Sequence, residues 1–321
     1  MDDHLCWSST RPLAGGGDGP RGGAPAAWRQ LRRWCAIELS GTRRLNAPLV
    51  IAAFEGWNDA GEAASGAITH LSTAWDAVPL AEIDPEDYYD FQVTRPTTEV
   101  TAGTTQRLTW PTTRLLAVDS DRIGRDVVLV QGIEPNMRWR RFCAELVEAF
   151  TGFRTDMVVL LGALLADSPH TRPVPVTATS SHPELVQNLR GAAADYKGPT
   201  GIVGVLQHAC GEVGIKSASL WAAVPHYVAQ PPSPKATVAL LHGVEDLLDV
   251  SVPLGDLPAE ARAWERGVDE LAEQDSEVAE YVRTLEEAKD ATDLPEASGD
   301  AIAAEFERYL RRRDHGERGG R

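Results

Sequence analysis

Short, wholly apolar runs alternate with amphipathic stretches along most of this chain, the pattern of strands buried on both faces between helices. The clearest run is Leu49-Val50-Ile51-Ala52-Ala53-Phe54, bounded by Pro48 and Gly56. Asn58-Asp59 follows with N-cap chemistry, and Ala60 to Trp75 carries a helical repeat. Strand, tight loop, helix is how a doubly wound sheet opens. Met157–Gly162 repeats the buried-strand pattern, and Ser217–Val224 is one more predicted strand. Further strands are predicted at Leu80–Ile83, Phe91–Thr94, Gln106–Trp110, Leu115–Val118, Val127–Gln131, Val174–Thr179 and Gly201–Leu206. The close spacing of the middle members predicts a meander or hairpin beside the parallel strands. Helices are predicted over Trp139–Phe150, Pro183–Leu189, His208–Val213 and Pro234–Leu248.

Beyond Val252 the pattern changes to three acidic, amphipathic helices, Pro258–Glu273, Glu277–Lys289 and Gly299–Arg313. Leu257, Ala261, Trp264, Val268 and Leu271 recur at three- and four-residue spacing. Such a stripe must pack on something, so Trp264, Val268 and Leu271 are expected against the core or a neighbouring subunit. The first residues are rich in Gly, Pro and Arg and show no apolar period, apart from a short basic helix expected at Trp28–Trp34. The expected organisation is a disordered or spurious extension (1–36), an α/β core (37–252), an acidic helical extension (253–313) and a disordered tail (314–321). The expected fold class is α/β, a three-layer α/β/α sandwich with a mixed, mostly parallel sheet plus a C-terminal helical extension.

Composition narrows the function. At 321 residues and 43% hydrophobic, the chain can bury a large core. Its 47 acids and 31 bases give a net charge of −16, which argues against a protein that wraps nucleic acid. Residues 1–44 are net basic and 256–310 strongly acidic, so most of the negative charge sits in the C-terminal helices. Cys6, Cys35, Cys143 and Cys210 form no C-x-x-C pair, so neither a disulfide framework nor a zinc site is expected. No run is long enough for a membrane span, and the N-terminus has no apolar secretion region. A cytoplasmic location, no metal and no cofactor are the expectations.

Searches for chemical motifs return mostly negatives. In Gly211-Glu212-Val213-Gly214-Ile215-Lys216-Ser217 an Ile replaces the glycine a phosphate loop needs before its Lys, and the segment precedes a strand. There is no G-x-G-x-x-G at a strand-to-helix turn, no G-x-S-x-G elbow and no H-E-x-x-H. Polar residues do cluster where predicted strands end: Glu55, Trp57, Asn58 and Asp59, then Glu134 and Asn136, then His170 and Arg172, then His226. If those strands are parallel, these residues meet along one edge and form a ligand cleft. Each also has a plainer reading: Asn58 or Asp59 as a helix cap, His170 as a loop hydrogen bonder, Arg172 as a bridge between subunits. The Tyr88-Tyr89 segment with its surrounding acids suggests a solvated turn or a protein-contact surface, and Arg138, Arg140, Arg141 and Arg154 either pair with those acids or receive an anion.

Four blocks carry a family resemblance. Pro48 to Gly61 (PLVIAAFEGWNDAG) resembles the opening of the proteasome assembly chaperone 2 family in its bacterial branch. Leu161 to Pro173 (LGALLADSPHTRP) is similar to that branch's second motif, and Gly198–Ile202 and Ala222–Tyr227 match further blocks. The resemblance spans about 37 to 313. It implies an α/β/α core related in shape to purine nucleoside phosphorylases and assembled as a homo-oligomer, with a trimer favoured. It implies a protein-binding scaffold or chaperone-like protein, with the proteasome or other cytosolic proteins as partners, and no established activity. Family members that dock on proteasome rings often end in a hydrophobic-Tyr-any tripeptide; this sequence ends Arg318-Gly319-Gly320-Arg321, which departs from that pattern. The rival expectation is a binder of, or enzyme acting on, a nucleoside or phosphorylated metabolite in the strand-end cleft.

Overall fold

The first half of the chain supplies β1 (Ile37–Leu39), β2 (Leu49–Glu55), β3 (Val78–Ile83), β4 (Thr97–Thr101), β5 (Thr104–Thr109), β6 (Arg114–Val118) and β7 (Val127–Ile133). The second half adds β8 (Met157–Ala166), β9 (Val176–Ser180) and β10 (Lys216–Pro225). The longer helices are α1 (Ala63–Ala74), α2 (Trp139–Phe153), α3 (Ile202–Glu212), α4 (Pro234–Leu248), α5 (Leu257–Gln274) and α6 (Ser276–Asp293). This computed structural model describes residues 37–39, 45–101, 104–180, 182–186 and 196–293. The expectations for 1–36, Gly299–Arg313 and 314–321 lie outside the described residues, as do Cys6 and Cys35.

Eight strands form one sheet in the order β1-β3-β6-β7-β2-β8-β10-β9. The centre, β7-β2-β8-β10, is parallel; β6, β9 and β1 run the other way. β2 is sandwiched in register between β7 and β8, which is why its run from Leu49 to Phe54 is apolar without alternation: both faces are covered. Alternate residues serve the two layers. Val50, Ala52 and Phe54 face α2 and α3, meeting Phe142, Leu146, Phe150, Ile202 and Leu206. Leu49, Ile51 and Ala53 face α1 and α4, meeting Ile68, Leu71, Leu240 and Val244. Each large side chain buried this way is worth about 1.5–3 kcal/mol, and together they fix the register of the parallel strands. Helix α5 packs along α4, and α6 against α5. The fold is the three-layer α/β class with a mixed sheet.

Two predicted strands differ, Gly201–Leu206 and Phe91–Thr94, while a third, Gln106–Trp110, is a strand to Thr109 but lies outside the main sheet. Gly201–Leu206 is not a strand; it is the start of α3, which continues through the segment expected as a separate helix at His208–Val213. Its run of β-branched residues mimics a buried strand, yet Ile202, Val203, Leu206 and Cys210 recur at helical spacing and are the buried face. Phe91–Thr94 is a turn, with Phe91 stacked edge-on against Trp110 at 4.8 Å. Gln106–Trp110 falls in β5, which pairs with β4 in a separate two-stranded ribbon. In the Tyr88-Tyr89 segment the acids Glu82, Asp84 and Glu86 are exposed as a solvated turn requires, but both tyrosines are buried in the core, and Asp87 pairs with Arg138 and Arg141.

Candidate functional site

The carboxyl ends of β2, β8 and β10 open into a groove of about 1340 Å³. Its floor is the face of β9 and β10 that carries Thr177, Thr179, Ser219 and Trp221; its walls are the 55–62 turn, the end of β8 and the start of α3. The Trp221 indole lies across the neighbouring strand, where Gly162 is its register partner. A Cβ on Gly162 would come within 2.6 Å of that ring, so glycine is what lets the tryptophan lie flat on the sheet. The floor is cross-linked: the hydroxyls of Thr179 and Ser219 pair at 2.7 Å, Trp221 Nε1 donates to Ser219 Oγ, and Gln207 Nε2 donates to the Thr179 carbonyl. The rim is apolar and exposed: Trp57 66%, Tyr196 71%, Leu165 50% and Leu164 43%.

Acidic groups line the 55–62 wall. Asp59 is almost fully buried, and its Oδ1 accepts from the amides of Ala64 and Ser65 at 2.7 and 3.1 Å. It therefore caps α1 from upstream of a short 3₁₀ turn, because Glu62, the residue at the helix start, is left-handed and gives no side-chain cap. Burial pushes the Asp59 carboxyl above its ordinary value, more than its hydrogen bonds lower it. Glu55 is also raised, first by desolvation, then by the charges of Asp59 and Glu62.

Beneath this wall lies a buried polar joint. Asn58 Nδ2 donates to Glu134 Oε1 at 2.6 Å, and the same oxygen accepts the Ile202 amide at 2.8 Å, at the N-terminus of α3. Backbone bonds from Ala163 N to Asn58 O and from Glu134 N to Glu55 O tie the joint to β8, β2 and β7. Gly201 sits directly over Asn58; a Cβ there would lie 2.2 Å from Oδ1.

A second cluster forms where the 167–173 loop meets the C-terminal helices. His170 is buried, with Nδ1 2.7 Å from the Tyr227 hydroxyl and Nε2 3.0 Å from Asp269 of α5. Lys235 donates to the His170 carbonyl and pairs with Glu265 at 2.7 Å. Arg172 makes a two-pronged contact with Asp290 of α6, both distances 2.8 Å, and reaches Glu286 at 3.1 Å. His226 pairs with Asp167, and Tyr281 donates to the same carboxylate while stacking edge-on to His226 and Tyr227. These groups clamp α5 and α6 to the core.

The residues expected in one cleft thus fall into separate places. Glu55, Trp57 and Asp59 line the groove; Asn58 and Glu134 brace it from below. His170, Arg172 and His226 belong to the helix clamp. Asn136 leaves the cleft altogether, since its Oδ1 accepts from Asp90 N and Thr94 Oγ1 and so shapes the 90–94 turn. On α5, Val268 is buried, Trp264 is half-buried and Leu271 is 62% exposed. Sequence reasoning missed Trp221, Tyr196, Leu164 and Leu165 in the groove, and Tyr227, Lys235 and the acids of α5 and α6 in the clamp. The signal for the clamp was present: an acidic segment followed a core whose strand-end loops carry His and Arg. Among the described residues no group of three or more His, Cys, Asp or Glu is arranged to hold a metal, and no helix is long and apolar enough to cross a membrane.

An eight-stranded α/β sandwich with a strand-end groove defines the class of protein. Within that class the PAC2 family model matches residues 53–272. This chain belongs to the PAC2 family. It is 57% identical to a PAC2 family protein of Streptomyces avermitilis, whose crystal structure superposes with a TM-score of 0.68 over 73% of this chain and 99% of that one. It is 54% identical to a Mycobacterium tuberculosis protein described as a proteasome-assembly chaperone homologue, with the same TM-score and the same coverage of both chains. A Pyrococcus furiosus archaeal proteasome activator, 15% identical with a TM-score of 0.59 over 73% of this chain and 97% of that one, shares the fold. No curated protein matches the chain.

Proposed function

We propose that this chain is a homo-oligomeric, protein-binding scaffold with a chaperone-like role in the cytoplasm, and that the groove is where it holds a protein partner. The observation that carries this reading is the exposed apolar rim of Trp57, Leu164, Leu165 and Tyr196 around a groove larger than the roughly 300–1,000 Å³ of an ordinary small-molecule pocket. The description of the Mycobacterium relative as a proteasome-assembly chaperone homologue supports a protein partner; the partner we propose is the proteasome or another cytosolic protein, and the assembly a trimer. The rival is a binder of, or enzyme acting on, a nucleoside or phosphorylated metabolite; its phosphorylated form meets an adverse charge, since the described lining residues include Glu55, Asp59 and Glu62 and no Lys, Arg or His. The hydroxyls of the floor are also engaged with each other rather than with a base.

Affinity capture from the producing cells tests the reading, comparing the native chain with a Trp57→Asp/Leu165→Asp variant, and light scattering gives the oligomer mass of each. Specific proteins retained by the native chain and lost from the folded variant are the expected result. Identical capture by both, or reproducible thermal shifts with nucleosides or sugar phosphates and no specific protein, overturns it.

A further inference from the structure

The groove wall concentrates negative charge without a counter-charge. Glu55, Asp59 and Glu62 lie within one turn of chain, and none of the described lining residues is basic. Asp59 is 6% exposed and its Oδ1 takes two amide hydrogens, so the accessible charge of the wall is carried by the exposed Glu55 and Glu62. Three aromatic side chains, Trp57, Tyr196 and Trp221, line the same groove, and aromatic ring faces favour a cation. The acids are not arranged to hold a metal ion, and the groove is far larger than an ion needs. What fits carboxylates, ring faces and an aliphatic rim together is a cation on a long apolar stem.

We propose that the groove receives an Arg or Lys side chain presented on an apolar segment of a protein partner. The guanidinium or ammonium lies against Glu55, Asp59 and Glu62, and the flanking apolar residues cover Leu164 and Leu165. The chain's net charge of −16 favours the approach of such a segment at long range and makes its binding salt-dependent. The inference rests on the protein-binding reading and adds the chemistry of the segment that is recognised.

The test uses the full chain and an acetylated, amidated Ser-Leu-Ala-Arg-Ala-Leu-Ser peptide, followed by calorimetry and by tryptophan fluorescence. Its partner probe replaces the Arg with citrulline, which keeps shape and removes charge; agmatine serves as a free small cation. The Arg peptide is expected to bind, the citrulline peptide about tenfold or more weakly, the scale of one lost charge-assisted contact. Glu55→Gln/Glu62→Gln is expected to weaken the Arg peptide by a similar factor, added salt to weaken it further, and Glu99→Gln on the remote ribbon to change nothing. Equal binding of both peptides, no binding of either, or indifference to Glu55→Gln/Glu62→Gln overturns the proposal. Agmatine binding as tightly as the peptide overturns it too, in favour of a small amine. If the capture experiment still retains a groove-dependent protein when these results fail, the scaffold reading stands and only the cationic segment is lost.

Discussion

Two Gly→Ala changes, chemically identical, are expected to move stability in opposite directions. At Gly201 the added Cβ would lie 2.2 Å from Asn58 Oδ1, 2.3 Å from Nδ2 and 2.6 Å from Cγ. Asn58 cannot swing away cheaply: it is 1% exposed, and its amide holds Glu134, whose oxygen also accepts the Ile202 amide at the start of α3. Overpacking costs about 1–3 kcal/mol, and loosening a hydrogen bond to an ionised carboxylate costs about 1.5–3 more. The sum is about 2.5–6 kcal/mol, or a melting temperature lowered by about 5–20 °C for a domain of this size. At Gly267, inside α5, a Cβ meets nothing within 4 Å. There alanine removes the glycine entropy cost and is expected to add about 0.5–1 kcal/mol. Urea melts of both variants, with the m-value checked for constancy, measure the pair. A loss below about 1 kcal/mol at Gly201 refutes the argument that Asn58 and Glu134 form a rigid joint under the groove, because a soft joint is the case in which the methyl is absorbed.

Other outcomes follow from the same geometry. Val268→Ala is expected to cost about 2 kcal/mol, from two buried methyls, whereas Leu271→Ala stays within about 0.5 kcal/mol in denaturant melts; equal losses contradict the packing of α5. Arg172→Met is expected to speed amide exchange in α6 while the central strands stay protected, since it removes the two-pronged pair with Asp290. Arg172 holds the Asp290 carboxyl below its ordinary value of 3.8, so that contribution is intact above pH 3.8 and is lost only as pH falls through the lowered value. Protection factors in α6, taken against the intrinsic exchange rate at each pH from 6 downward, are expected to hold to about pH 4 and then fall, and a fall already at pH 5–6 contradicts the assignment. Cys143 and Cys210 are buried, and desolvation pushes both thiols up to about 12, so neither is expected to react with iodoacetamide at pH 8 in the native state. Mass mapping of a Cys6→Ser/Cys35→Ser chain decides this, and labelling before denaturation contradicts the burial.

Where a residue's environment is set by its neighbours in sequence, the pattern was legible. β2 and most of β8 are apolar because both faces are covered, and that shows as unbroken runs such as Leu49–Phe54. α3 was misread because Ile202-Val203-Gly204-Val205-Leu206 satisfies a strand template as well as a helix one; only its docking on the sheet, with Glu134 accepting its first amide, selects the helix. Phe91–Thr94 failed for a similar reason: Asn136, 42 residues from Thr94, accepts from its hydroxyl and shapes the turn, and no local window contains both. Strand ends did locate Glu55, Trp57 and Asp59. They could not show which way His170 and Arg172 point, because that depends on acids about a hundred residues later, in α5 and α6.

The claim that the groove rim is a protein-contact surface is tested most directly by site-specific photo-cross-linking in the producing cells. A photoreactive residue replaces Leu165 on the rim in one strain and Val213, exposed but outside the groove lining, in another. The account predicts a discrete protein adduct from position 165 that disappears with Trp57→Asp, and none from position 213. No adduct at 165, or the same adducts from both positions, contradicts it.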